Sequence, residues 1–140
     1  MEKHFEFTDE DFEQQFSNAT LNPTVFTHEA HLRLAWIHIR KYGIFSAIEN
    51  ICNQLQNYVA SLGASDKYNK TVTMAAVKAV YHFMLKSKED DFQVFISENQ
   101  RLKTNFKELL NTHYSTDIFK SAKAKKEFLE PELLPFDEQW

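Results

Sequence analysis

Apolar residues recur at intervals of three and four along most of the chain, which is the repeat of helices that bury one face. The clearest runs predict three long helices, over residues 28–42, 46–62 and 70–87. Thr27 and Ser46 stand where N-caps belong, and Gly43 and Gly63 stand where helices of this kind end. Because only a short break separates the first two helices, we expect them to form an antiparallel hairpin. The third run is apolar nearly all round, which is typical of a central, buried helix.

Shorter apolar clusters predict several small helices around the long ones. These begin after Thr8, near residues 92 and 106, and after the cap-like residues Ser115 and Ser121. Residues 1–7 are expected to form an extended lead whose aromatic side chains pack on the protein. Residues 130–136 contain two prolines and cannot be helical throughout. They predict an extended strap along the helices.

The composition favours an all-α fold. The 140 residues include only two Gly and three Pro, which is too little turn chemistry for a sandwich or barrel of many short strands. Thirteen are Phe, so aromatic packing must dominate the core. The length is that of one ordinary domain. We therefore expect residues 1–140 to form a single helical bundle of three long helices and three or four short ones.

The charge pattern narrows the range of partners. The formal net charge is −4 with acids and bases interspersed, which argues against nonspecific nucleic-acid binding, because that needs a concentrated basic surface. No apolar run is long enough to span a bilayer, and the first residues lack the order of a signal peptide. Cys52, the single cysteine, excludes an internal disulfide and suits a reducing compartment. We expect a cytoplasmic protein that binds neither nucleic acid nor membrane, with an inert, buried thiol.

Two histidines on the first long helix are the strongest candidates for chemistry. His28 and His31 are three residues apart, so their rings share one face, and the helical repeat places His28 on the apolar stripe. Phe26, just before the cap, is expected to pack on His31 as a hydrophobic staple. Buried imidazoles need partners, so the pair predicts a ligand pocket or a metal site completed by a third ligand. The alternative is a pair of hydrogen-bonded structural histidines.

A second polar group precedes the third helix, in the stretch Lys67-Tyr68-Asn69-Lys70-Thr71. Free N–H groups and the positive end of the helix dipole make such a start suitable for an anionic group. The alternative is that Asn69 or Thr71 only caps the helix. Arg33 is a further candidate, either to clamp a carboxylate of a ligand or to bridge to a neighbouring acid. Motifs for nucleophilic catalysis or nucleotide phosphates are absent, and two glycines could not build them.

Two motifs together resemble those of a family of small bacterial helical proteins that has no assigned activity. They are Phe26-x-His28-x-x-His31-Leu32-Arg33-x-Ala35-Trp36 and Lys67-Tyr68-x-x-Thr71-x-Thr73, supported by Tyr114-Ser115 and by Phe128-x-x-Pro131-x-Leu133. The resemblance implies that the histidine helix and the start of the third helix build one shared pocket. Such sequences more often have a third His where this chain has Asn69. Since that change removes a good metal ligand, it favours a polar small-molecule pocket over a metal site.

The resulting hypothesis is a cytosolic protein with a histidine-containing pocket for a small molecule, with an anionic molecule as one option. The residues assigned to it are His28, His31, Arg33, Lys67, Tyr68, Asn69, Thr71 and Tyr114. If the protein is an enzyme, His28 or His31 would act as general acid or base. One alternative is a metal-dependent enzyme that uses these two histidines and a carboxylate; another is a non-catalytic interaction protein. The sequence names no cofactor, reaction or oligomeric state.

Overall fold

A computed structural model describes residues 2–136, and the regular structure in this range is entirely helical. The α-helices are α1 (Asp9–Ser17), α2 (His28–Tyr42), α3 (Ile44–Ser61), α4 (Lys70–Leu85), α5 (Phe92–Glu98), α6 (Arg101–Thr104), α7 (Phe106–Asn111) and α8 (Ala122–Lys126). Short 3-10 turns occupy Lys3–Glu6 and Ser65–Lys67. The predicted all-α class is confirmed, with three long helices and more short ones than expected. No helix in residues 2–136 has the length and apolar character needed to cross a membrane.

The chain divides into two compact units, residues 1–68 and 69–140. The first contains α1, α2 and α3 around a core rich in large side chains. Its fully buried members include Phe12, Phe16, Leu32, Leu34, Trp36, Ile37 and Ile51. The second contains α4 to α8 and has its own buried cluster, formed by Ala75, Leu110, Tyr114, Ile118, Ala124 and Phe136. The expectation of one domain stays a prediction.

The predicted hairpin of α2 and α3 is confirmed. Phe26, just before α2, contacts Tyr58 near the end of α3, with 5.3 Å between ring centroids. At the other end, the His38 ring near the end of α2 lies 3.5 Å from the Asn50 amide near the start of α3. Thr27 caps α2 by accepting a hydrogen bond from the Ala30 N–H, as expected. The two helices therefore run antiparallel.

The start of α3 and the N-terminal lead differ from the predictions. Ser46 is not an N-cap, because α3 already begins at Ile44, directly after Gly43. Gly43 has a φ of +84°, a conformation that favours glycine, so one residue suffices to reverse the chain. Ile44 is the first residue of α3 and is 5% exposed. Residues Lys3–Glu6 form a 3-10 turn rather than an extended lead, and this turn buries His4 completely.

In the second unit the chain after α8 runs beside the start of α4. The Thr71 hydroxyl donates to the Glu127 carbonyl at 2.7 Å and accepts from the Leu129 N–H at 3.0 Å. The Tyr114 hydroxyl donates to the Leu129 carbonyl at 2.8 Å. Ser121 caps α8 as predicted, whereas no helix begins at Ser115. Residues 130–136 are non-helical, as expected, and are called the strap below.

Candidate functional site

Of the two predicted histidines, His28 does not look into the protein. It is the first residue of α2 and is exposed. The buried part of this helix begins one residue later, at Glu29, so the first side chain lies beyond the packed face. The prediction that both rings point inward is therefore wrong for His28.

His31 does lie against the interior. The ring packs on Phe26 with 5.5 Å between centroids, which confirms the predicted staple. Its Nε2 is fully enclosed and has no hydrogen-bond partner in the part of the chain that the structure describes. Burial, and to a smaller extent the nearby His28, lowers the pKa of His31 to about 4. The imidazole is therefore neutral at physiological pH.

Arg33 is buried and makes its hydrogen bonds within its own unit. The guanidinium donates to the Asp9 carboxylate at 2.8 Å and to the Phe7 carbonyl at 2.9 Å. It also donates to the carbonyl of His4. The sequence allowed two roles for Arg33, and the geometry matches the one in which it bridges to a neighbouring acid. This bridge attaches the N-terminal turn to α2.

His4, to which the sequence gave no role, lies at the centre of this network. Its Nε2 is 2.7 Å from a carboxylate oxygen of Glu29, which is 5% exposed, and its Nδ1 is 3.3 Å from the Arg33 guanidinium. Because a guanidinium can only donate, Nδ1 accepts and Nε2 carries the proton. Burial lowers the pKa of His4, an effect partly opposed by its hydrogen bond to Glu29. His4 is therefore a neutral link between an acid and a base.

The same place contains a group of side chains that could hold a metal ion. One ligand atom each from Glu2, His4 and Glu29 lies within 4.8 Å of the others, and neither His28 nor His31 belongs to such a group among residues 2–136. A metal on the Nε2 of His4 would leave the proton on Nδ1. That proton would face the N–H of Arg33, donor against donor. The group therefore fits an internal hydrogen-bond network better than a metal site.

The residues of the second predicted motif fall in both units. Lys67 ends a 3-10 turn and is exposed. The Tyr68 hydroxyl is enclosed near the Cys52 thiol, which is itself buried as expected, and burial raises the pKa of Tyr68. Asn69 caps α4 by accepting from the Val72 N–H at 3.0 Å, and its amide donates to the Ile118 carbonyl at 2.9 Å.

Three of the predicted ligand-binding residues therefore have structural hydrogen bonds inside residues 69–140. These are Asn69, Thr71 and Tyr114. Their polar atoms hold the segments before and after α8 to the start of α4 and to Tyr114. His28, His31 and Arg33 belong to the other unit, so a pocket shared by the two motifs stays a prediction.

A cavity of about 450 Å³ lies within the second unit, among residues that the sequence did not group. It is called the basic cavity below. Its lining residues come from α4, α6, α7, the segment after α7 and the strap: Ala79, His82, Phe83, Lys86, Arg101, Leu109, Leu110, Thr112, His113, Leu134, Pro135 and Phe136. A volume of this size is within the range of about 300–1,000 Å³ that is common for small-molecule sites.

The wall of the basic cavity combines apolar surface with positive charge. Lys86 and Arg101 contribute an ammonium and a guanidinium, and His82 and His113 contribute imidazoles. None of the lining residues that the structure describes is acidic. Phe83 and the leucines supply the apolar part. Such a wall disfavours cations and attracts an anion that carries an apolar body.

His113 connects the basic cavity to the strap. Its Nδ1 is 2.7 Å from the Leu134 carbonyl, and its ring stacks on Phe136 with centroids 4.1 Å apart. The Leu133 N–H donates to the His113 carbonyl at 3.0 Å. Because a carbonyl can only accept, Nδ1 carries a proton. The imidazole is therefore held at one nitrogen, and the strap forms part of the cavity wall.

Sequence reasoning missed this cavity for a physical reason. His82 and Lys86 are four residues apart at the end of α4, a spacing that places them on one face. That signal alone is common on solvated helices. Arg101 and Pro135 reach the same wall from distant parts of the chain, and no local spacing indicates this.

Comparisons of the chain with protein-family models, with curated proteins and with solved structures gave no match. The resemblance to a bacterial family therefore stays a prediction. The function has to be inferred from the geometry of the chain itself.

Proposed function

We propose that this protein binds a small anionic molecule with an apolar body in the basic cavity. The observation that supports the proposal is the wall of that cavity, in which the basic side chains of Lys86 and Arg101 and two imidazoles meet apolar side chains, and no described lining residue is acidic. The class of function is the one that the sequence suggested, but the residues differ. The histidines are His82 and His113 in place of His28 and His31.

Arg101 is the principal anion-binding residue in this proposal. A guanidinium stays protonated at any physiological pH and offers paired donors to a carboxylate, sulfonate or phosphate. Lys86 adds a second charge on a flexible stem, at the C-cap of α4. Both side chains belong to exposed residues, so an anion can reach them without unfolding the core.

The apolar body of the ligand is held by the deeper wall. Ala79, Leu109, Leu110 and Phe136 are buried residues, and Phe83 is half-buried. Burying apolar ligand surface here contributes roughly 25 cal/mol per Å². Arg101 and Lys86 then select the anionic ones among apolar molecules, because a neutral molecule gains no electrostatic attraction from these side chains.

Fluorescent probes test the proposal directly. Anilinonaphthalenesulfonate carries an aromatic body and an anionic group, and N-phenylnaphthylamine is nearly the same body without the charge. Arg101→Gln and Lys86→Gln should each raise the dissociation constant of the sulfonate about ten-fold or more, the effect of losing one hydrogen bond to a charged group. Both substitutions should leave the dissociation constant of N-phenylnaphthylamine within about two-fold of the wild-type value.

Lys88→Gln is the matched control, because Lys88 is exposed two residues after Lys86 but does not line the cavity. It changes the net charge by the same amount. If the sulfonate binds all three variants equally well, the cations of the basic cavity do not select anions and the proposal is wrong. Raised ionic strength should weaken binding of the sulfonate and leave binding of the neutral probe unchanged.

The proposal also places the protein in the cytosol, where small anionic metabolites are abundant. Cys52 is the single cysteine of the chain and is buried, which is compatible with a reducing compartment. Fractionation of cells that express the full chain tests this location.

A further inference from the structure

The hydrogen bonds of the cavity wall specify more than the charge of its ligand. Lys86 and Arg101 can only donate hydrogen bonds. The Thr112 hydroxyl donates to the Leu109 carbonyl at 2.7 Å, which uses its proton inside the protein. Lys86 and Arg101 thus provide donors for an anion, whereas the Thr112 oxygen, whose proton is used, can only accept. A hydroxyl or N–H elsewhere on the ligand needs an acceptor of its own.

His113 supplies an acceptor. Its Nδ1 proton is committed to the Leu134 carbonyl, so in the neutral ring the lone pair is on Nε2. Stacking on Phe136 limits rotation of the ring, and Nδ1 is already occupied, so Nε2 is the ring nitrogen available to a ligand. A neutral imidazole fixed in one tautomer by a backbone carbonyl is the arrangement by which proteins hold a hydrogen-bond or proton acceptor in place.

We propose that the ligand of the basic cavity carries, besides its anionic group, a hydroxyl or comparable O–H or N–H donor that binds the Nε2 of His113. This inference rests on the proposed function and narrows its ligand class to protic amphipathic acids, such as hydroxylated aromatic carboxylates. The anionic group lies at Arg101 and Lys86, and the protic group lies at the strap side of the cavity.

Naphthoate and its hydroxylated derivatives test this ligand class. Each derivative carries its hydroxyl at a different ring position remote from the carboxylate, so that at least one can reach His113. Affinities are measured by isothermal titration calorimetry on the full chain. We expect at least one hydroxynaphthoate to bind about five-fold more tightly than naphthoate, which corresponds to one net hydrogen bond.

Two substitutions of His113 distinguish the roles of its two ring nitrogens. The amide of Asn places a donor near the position of Nδ1, so His113→Asn can keep the bond to Leu134 while it removes the acceptor at Nε2. In His113→Gln the side-chain amide reaches the position of Nε2, and the hydrogen bond to the Leu134 carbonyl is lost. His113→Asn should abolish the preference for the hydroxylated probe and leave naphthoate itself unchanged within about two-fold. His113→Gln should keep part of the preference.

The outcomes are distinct. If no hydroxynaphthoate binds more tightly than naphthoate, or if His113→Asn weakens both equally, His113 is not an acceptor for a protic group and the inference fails, even though the proposed function stands. Equal weakening would identify His113 as a third cation. If naphthoate and all its derivatives fail to bind, or bind equally to wild type and Arg101→Gln, the proposed function itself fails.

Discussion

Thr71→Val is the substitution for which the structure gives the clearest stability prediction. Valine keeps the shape of threonine and removes only the hydroxyl. That hydroxyl donates to the Glu127 carbonyl at 2.7 Å and accepts from the Leu129 N–H at 3.0 Å, and Thr71 has 0% exposure. Both partners lose their hydrogen bond at once, because one atom serves both.

The magnitude follows from the two lost bonds. Each contributes about 1 kcal/mol net, and a partner left unsatisfied in a buried place costs about 1–3 kcal/mol. Glu127 is exposed and Leu129 half-buried, so water can reach part of this region. We therefore expect a loss of about 2 kcal/mol in the free energy of unfolding.

Thr73→Val is the matched control on the same helix. Thr73 is 3% exposed, and its hydroxyl donates only to the Asn69 carbonyl, which also accepts from the Thr73 N–H. No partner is left without a hydrogen bond, so the loss should stay below about 1 kcal/mol. Urea unfolding followed by circular dichroism gives both values, and hydrogen exchange should show faster exchange at Leu129 in Thr71→Val alone. Equal effects of the two substitutions would refute the reasoning.

Three further predictions concern the first unit. The pKa of His31 is about 4 in the folded chain and 6.5 in the unfolded one, so the unfolded state takes up the proton first and stability falls as the pH falls from 6.5 to 4. The expected loss is about 3 kcal/mol, and His31→Phe should remove this part of the pH dependence in urea titrations at several pH values; an unchanged profile would contradict the assignment. Arg33→Lys should lower the free energy of unfolding in urea by about 2–3 kcal/mol, since an ammonium cannot reproduce the forked hydrogen bonds to Asp9 and two carbonyls. A loss under about 0.5 kcal/mol would show that these hydrogen bonds are unimportant for stability. Zinc or manganese should leave the melting temperature unchanged, because the Arg33 donor opposes metal binding at His4; a rise that Glu29→Gln abolishes would prove the opposite.

The features that could be predicted from sequence are those with local causes. The caps at Thr8, Thr27 and Ser121 and the staple of Phe26 on His31 depend on residues three to five apart, and each is present. Local spacing fixes them because the helical repeat brings such residues together whatever the tertiary structure.

The errors arise where a distant segment decides the outcome. The residues next to His4 in the sequence did not indicate its role, because its partners Glu29 and Arg33 are 25 and 29 residues away. His28 was assigned to the interior by the repeat of α2, but burial also requires another element to cover that position. The basic cavity was missed for the same reason, since residues from the end of α4 and from the strap form a wall only after folding.

If a ligand binds in the basic cavity as proposed, the strap should affect how fast that ligand leaves. Three residues of its wall, Leu134, Pro135 and Phe136, belong to a segment without helical hydrogen bonds. This segment is held by hydrogen bonds to His113 and Ser115 and by the burial of Phe136. Detaching it breaks these contacts without unfolding a helix. For a ligand bound as proposed, we therefore expect detachment of residues 134–136 to set the dissociation rate. Substitutions in the strap should then change the residence time while the helices stay folded.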